Sequence, residues 1–108
     1  MSLTLQRATR TLDIELQGIE ALKHRLDSQF ESAIQLLYEC QGKVVITGVG
    51  KSGLIGRKIA ATFTSTGTPA VFLHSGESAH GDLGVISSKD VVLAISFSGE
   101  SAEVVQML

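Results

Sequence analysis

One cysteine, Cys40, stands in the 108-residue chain, so no intrachain disulfide is possible. That scarcity fits a reducing compartment, and Cys40 itself reads as a buried thiol at a helix end. There is no basic block, and the formal net charge is -2. This argues against a nucleic-acid surface of the usual electrostatic kind. No apolar run approaches the roughly 20 residues needed to span a bilayer. The opening Met1-Ser2-Leu3-Thr4 lacks the basic-then-apolar layout of a signal peptide. No spacing of His, Cys, Asp and Glu meets a zinc pattern, so no metal is expected. Repeats and low-complexity segments are absent as well. With these classes set aside, 44% hydrophobic and 19% charged residues describe a chain able to bury a core. A soluble, cytoplasmic protein without nucleic-acid or membrane partners is the expectation.

What is present divides in two. Over the first forty residues, Leu12, Leu16, Ile19, Leu22, Leu26, Phe30, Ala33 and Leu37 follow one another at intervals of three or four. That periodicity predicts helix. A break is expected at Asp27-Ser28, with Ser28 and Glu31 forming an S-x-x-E capping box for a second helix that stops near Gly42. Beyond residue 42 the pattern changes. Residues 43–47 are a β-branched run that suits a buried parallel strand. A glycine loop follows, then a helix over 52–65 with Ile55, Ile59 and Phe63 along one face, ended by Gly67 and Pro69. Strands are expected at 70–74 and 91–96, with a turn at Ser88-Lys89-Asp90 between them. Another helix should begin at Ala102. This alternation predicts an α/β fold with a parallel sheet. The division expected is 1–41 as an N-terminal helical segment and 42–108 as the first part of a larger, truncated α/β domain, because three strands would leave its last edge uncovered.

In an open parallel sheet, ligands bind beyond the carboxyl ends of the strands. Three polar, glycine-rich loops leave those ends. Gly48-Val49-Gly50-Lys51-Ser52-Gly53 matches G-x-G-x-x-G between strand and helix, a backbone shape that offers helix N–H groups to an anion. A dinucleotide site would also place an acid at the end of the second strand, where His74-Ser75 stands instead. The loop Ser96-Phe97-Ser98-Gly99-Glu100-Ser101 presents three hydroxyls and a glycine, which suit a phosphate monoester. The same serines could simply cap a helix. Between these loops, His80 lies in Gly76-Glu77-Ser78-Ala79-His80-Gly81-Asp82-Leu83-Gly84, placed to act as an acid, a base or a binding group. His24 and His74 have weaker claims.

The stretch from Gly48 to Gly53, with Gly56-Arg57-Lys58 and Ser65-Thr66-Gly67-Thr68-Pro69 after it, resembles the sugar-phosphate isomerase (SIS) family. So does Ser96-x-Ser98-Gly99-x-Ser101, similar to the phosphosugar signature of that family. The narrower run from Glu77 to Gly84 is similar to arabinose-5-phosphate isomerases of the KdsD, KpsF and GutQ type, the first two more closely. The resemblance implies a flavodoxin-like, doubly wound parallel sheet of five strands, usually followed by a pair of CBS domains, in a homotetramer. It implies interconversion of D-ribulose 5-phosphate and D-arabinose 5-phosphate on the way to the lipopolysaccharide or capsule sugar Kdo, and it calls for no cofactor. Family catalytic positions fall on Lys51, His80 and Glu103. Ser101 stands where many SIS proteins carry threonine, and the hydroxyl is kept.

Aldose–ketose isomerisation needs a base for a C–H proton, an electrophile for the carbonyl oxygen and an anchor for the phosphate. Under the isomerase reading, Gly50, Ser52, Ser96, Ser98, Gly99, Glu100 and Ser101 form the anchor and its surroundings. Lys51 stabilises negative charge on the enediol oxygens or assists ring opening, and His80 shuttles protons on oxygen or opens the ring. Glu103 is the base or a partner of Lys51. Two alternatives remain open at this level: a non-catalytic sugar-phosphate sensor and a dinucleotide-binding domain.

Overall fold

The computed structural model describes residues 2–74, 84 and 86–97. It contains helices α1 (Leu3–Arg25) and α2 (Ser28–Tyr38), strand β1 (Val44–Gly48), helix α3 (Gly50–Ser65), and strands β2 (Ala70–Phe72) and β3 (Val91–Ile95). Two compact units emerge, Met1–Gln35 and Leu36–Leu108, and the boundary falls inside α2.

In the first unit, α1 is continuous for 23 residues. The Ser2 hydroxyl caps it by accepting the Leu5 N–H at 3.2 Å. Lys23, His24 and Arg25 occupy its last turn, where positive charge suits the dipole. The chain turns extended at Leu26, so the expected break is present. The cap of α2 differs from expectation. Asp27, one residue earlier than Ser28, accepts the Gln29 N–H on its carboxylate at 2.9 Å, and its carbonyl takes the Phe30 and Glu31 N–H groups. An aspartate at that position satisfies the orphan donors first, so Ser28 is already inside the helix and the Ser28–Glu31 box is not used. The apolar stripe of α1 is exposed along its length: Leu16 is 62% and Ile19 66% accessible.

The second unit is built around β1. The sheet order is β2-β1-β3, and both neighbours are parallel to β1. Flanked on both sides, β1 is buried at all five positions, and Val44, Val45 and Ile46 are 0% exposed. Side chains of this size stabilise by about 1.5–3 kcal/mol each when fully buried. Around Val44, Ile46 and Ala60 pack Leu37, Cys40, Ile59, Phe63, Phe72, Leu93 and Ile95. Cys40 lies just past the end of α2, half-buried, with its Sγ 3.5 Å from the Lys43 carbonyl.

Helix α3 covers this sheet with an unexpected face. Gly53, Gly56 and Ala60 are its buried residues, with Ile59 and Phe63 beside them. Ile55 faces out, 57% exposed. Small residues at these spacings let the helix axis approach the strands, and that close packing offsets the propensity cost of glycine inside a helix. The helix closes in a Schellman arrangement: Thr68 N–H donates to Phe63 O at 2.8 Å and Gly67 N–H to Thr64 O at 3.3 Å, with Gly67 at φ 101°. Pro69 then leads into β2, as the sequence predicts.

The strands are close to expectation, with small shifts. β1 runs one residue later, β2 stops at Phe72 rather than residue 74, and β3 stops at Ile95. Leu73 N–H still donates to Ile46 O at 2.8 Å, so the ladder continues past the end of β2. The turn before β3 is present and is tied to the start of β1. The Asp90 carboxylate accepts the Lys43 N–H at 2.9 Å, the Lys43 ammonium at 2.7 Å and the Ser87 N–H at 2.8 Å. The Lys43 ammonium and these two N–H groups hold the Asp90 carboxyl far below the usual carboxylate range. This lock closes the amino end of the sheet.

Candidate functional site

The carboxyl ends of the strands are built around one glycine. Gly48 ends β1 and pairs with Ile95, so Val49 and Ser96 leave the sheet side by side. A Cβ on Gly48 would lie 3.0 Å from the Ser52 carbonyl carbon and 3.1 Å from the Ile95 carbonyl oxygen. The start of α3 and the end of β3 therefore press on Gly48 together, and only a hydrogen fits between them. Because β2 and β3 lie on opposite sides of β1, the loops after β1 and β3 bound the switch point where ligands bind in open α/β sheets.

Helix α3 begins at Gly50, two residues earlier than expected, and Gly50 has φ 61°. That left-handed conformation turns the chain from strand into helix within two residues, and glycine adopts it at little cost. The preceding residue, Val49, supplies no side-chain cap. The first intrahelical bond is Gly53 N–H to Val49 O at 3.3 Å. Gly53 also meets the sheet closely: a Cβ there would sit 3.0 Å from Gly48 O. Gly50 thus serves the tight turn, and Gly48 and Gly53 the close packing of helix on strand.

Beside this loop lies an open cavity of about 480 Å³, lined by Gly50, Lys51, Gly53, Leu54, Arg57, Phe72 and His74. Gly50, Gly53, Leu54 and Arg57 are one face of α3, and Phe72 and His74 come from β2 and its exit. Lys51 is exposed at the mouth, and Ser52 is half-buried on the side of β3. Ser96 is half-buried where β3 ends. Of the residues expected at the site, the structure brings Gly50 and Lys51 into one cavity, and it sets Ser52 in the first turn of α3 and Ser96 just past the end of β3. His80, Ser98, Gly99, Glu100, Ser101 and Glu103 lie outside the described residues. His24 is occupied on the exposed surface of α1, where it pairs with Glu20 at 3.0 Å. Arg57, Phe72 and Leu54 were not anticipated in the cavity wall. The spacing Gly50-Gly53-Leu54-Arg57 was the available signal, since residues three, four and seven apart share a helix face.

The SIS domain family matches residues 36–108. The chain belongs to that family. The fold superposes with a TM-score of 0.91 and 47% identity on an Escherichia coli CFT073 protein solved in complex with arabinose 5-phosphate, covering 100% of this chain and 58% of that one. It superposes at 0.89, with 39% identity, on a Bacteroides fragilis protein described as a phosphosugar isomerase involved in capsule formation, covering 96% of this chain and 55% of that one. In sequence it is 52% identical over 103 residues to arabinose 5-phosphate isomerase KdsD of Yersinia pestis, covering 95% of this chain and 31% of that relative. It is 53% identical over 99 residues to arabinose 5-phosphate isomerase GutQ of Escherichia coli K12, covering 92% and 31%. These identities, 52% and 53%, do not separate the KdsD type from the GutQ type. The chain spans about a third of the length of these curated relatives. Among the described residues, no helix is long and apolar enough to cross a membrane.

Proposed function

We propose that the chain is the N-terminal part of an arabinose-5-phosphate isomerase, an aldose–ketose isomerase that interconverts D-ribulose 5-phosphate and D-arabinose 5-phosphate through an enediol. The carrying observation is the meeting of the glycine loop and the end of β3 around Gly48. In this reading the loops that leave β1 and β3 there present N–H groups, hydroxyls and Lys51 to one phosphorylated sugar. Identity near 50% to curated isomerases of that name supports the choice of substrate.

In this reading the phosphate accepts from the hydroxyls of Ser52, Ser96, Ser98 and Ser101 and from the backbone N–H groups of Gly50, Gly99 and Glu100, at the start of a helix where anions are favoured. Phosphate binding fixes the sugar so that C1 and C2 face Lys51. The Lys51 ammonium neutralises charge that builds on the enediol oxygens. His80 moves protons between oxygens or opens the ring, and Glu103 takes the C–H proton or orients Lys51. The product enters Kdo synthesis for lipopolysaccharide or capsule in the cytoplasm. A CBS pair follows the domain, and the enzyme is a homotetramer. The uncovered stripe Leu12, Leu16, Ile19 and Leu22 on α1 is consistent with such assembly.

The test is turnover of arabinose 5-phosphate by the complete protein carrying Lys51→Ala or His80→Ala. Each variant should lose about 10²–10⁴-fold in kcat with an unchanged melting temperature. Full activity in both would overturn the proposal.

A further inference from the structure

The cavity beside the glycine loop carries positive charge beyond Lys51. Arg57 lies two turns along α3 from Gly50, about 10 Å at the helical rise, and it lines the same cavity. Its guanidinium carbon sits 4.4 Å from the centroid of the Phe72 ring, a cation–π distance. The ring beneath it is pinned. A Cβ on Gly56 would come within 3.1 Å of Phe72 and of Ile46, so ring, helix and central strand are already in close contact. Arg57 is therefore an exposed cation whose position is set by packing. The described lining holds Lys51, Arg57 and His74 and no carboxylate. Among the described residues, Arg57 has no ion-pair partner.

Among the described residues this wall holds two cationic side chains and no acid, a charge balance that favours an anion. We propose that Arg57 is an electrostatic positioning residue of this site, which draws in the phosphate dianion of the substrate before the strand-end loops seat it. This rests on the isomerase reading above. Its backbone stands about 10 Å along the helix axis from the loop, so Arg57 acts through its field rather than as the anchor. A dianion and a unit charge at that distance in water attract enough to change occupancy by about three- to tenfold. The attraction falls steeply once salt brings the Debye length to a few ångströms. The Phe72 contact matters because a guanidinium free in solvent would spend its time away from the cavity.

Steady-state kinetics on the complete protein test this with Arg57→Gln and Arg57→Lys. At low ionic strength, Arg57→Gln should raise KM for arabinose 5-phosphate about three- to tenfold with kcat changed less than about twofold, while Arg57→Lys keeps most of the affinity. In about 0.5 M salt the wild type and Arg57→Gln should converge. An unchanged KM at low salt, a difference that persists in high salt, or a loss confined to kcat would each overturn the assignment. Titration with inorganic phosphate separates this from the isomerase reading. If the wild type does not turn over arabinose 5-phosphate, that reading falls. Weaker phosphate binding by Arg57→Gln would then still support the anion-positioning role, and equal binding would defeat it.

Discussion

The two units of this chain both carry regular apolar patterns and use them in opposite ways. Ile46, on β1, is 0% exposed; Ile19, on α1, is 66% exposed. β1 gains its burial from three directions, with a parallel partner on each edge and α3 across one face. α1 shows as regular a stripe and contributes no buried residue. The periodicity of a segment thus defines which face is apolar, and only the neighbours define whether that face is covered.

The contrast can be broken by mutation, most forcefully at its buried end. Ile46→Ala should cost about 2–5 kcal/mol in a denaturant melt, because a fully enclosed strand residue leaves a cavity that close-packed neighbours cannot fill. A cost below about 1 kcal/mol would mean that the sheet core is looser than its burial indicates. Next comes Gly50→Ala. A left-handed φ of 61° is unfavourable for an L side chain, so a loss of about 1–2 kcal/mol is expected by the same measurement. Weakened phosphate binding should accompany it if the loop relaxes.

A smaller effect is read against pH. The folded-state pKa of Asp90 is depressed by the Lys43 ammonium and by the Ser87 and Lys43 N–H groups. Its stabilising contribution is therefore complete above the ordinary carboxylate value of about 4. It is lost as acid carries the pH down toward the depressed value. Asp90→Asn should lower the melting temperature at neutral pH and flatten its decline below about pH 4. An acid limb identical to wild type would remove Asp90 from that role. The smallest effect is expected at Ile19→Ala, which should leave amide exchange at Val44–Gly48 unchanged, since exposed substitutions stay within about 0.5 kcal/mol. Faster exchange there would show that the helical unit supports the sheet and would overturn the comparison.

Much of the architecture was legible because it rests on short-range rules. The helix break after Leu26, the stop at Gly67-Pro69, three strands and their parallel sense all follow from periodicity, turn residues and crossover geometry. Sequence and structure part where two local solutions compete or where packing decides. Asp27 displaces Ser28 as the cap because both can accept the same donors and the earlier residue reaches them first. Periodicity puts Ile55 on the inner face of α3 because it is apolar, whereas the inner face is Gly53, Gly56 and Ala60, chosen for their smallness. At the site, Gly50 and Lys51 are readable from the loop motif. Arg57 and Phe72 are not, because they lie on different elements and nothing in the local pattern of either announces the other.

The amino-acid sequence alone determined the order of elements, the glycine loop at the end of the central strand and the membership of a phosphosugar family. These depend on backbone conformation and on side-chain alternation, which each segment carries within itself. Tertiary structure alone decided that Gly48 is the point where helix start and third strand meet, that Asp90 ties down the far end of the sheet, and that Arg57 rests on Phe72 above the cavity. Each of these is a distance between residues on separate elements, and such distances exist only once the strands have paired and the helix has settled on them.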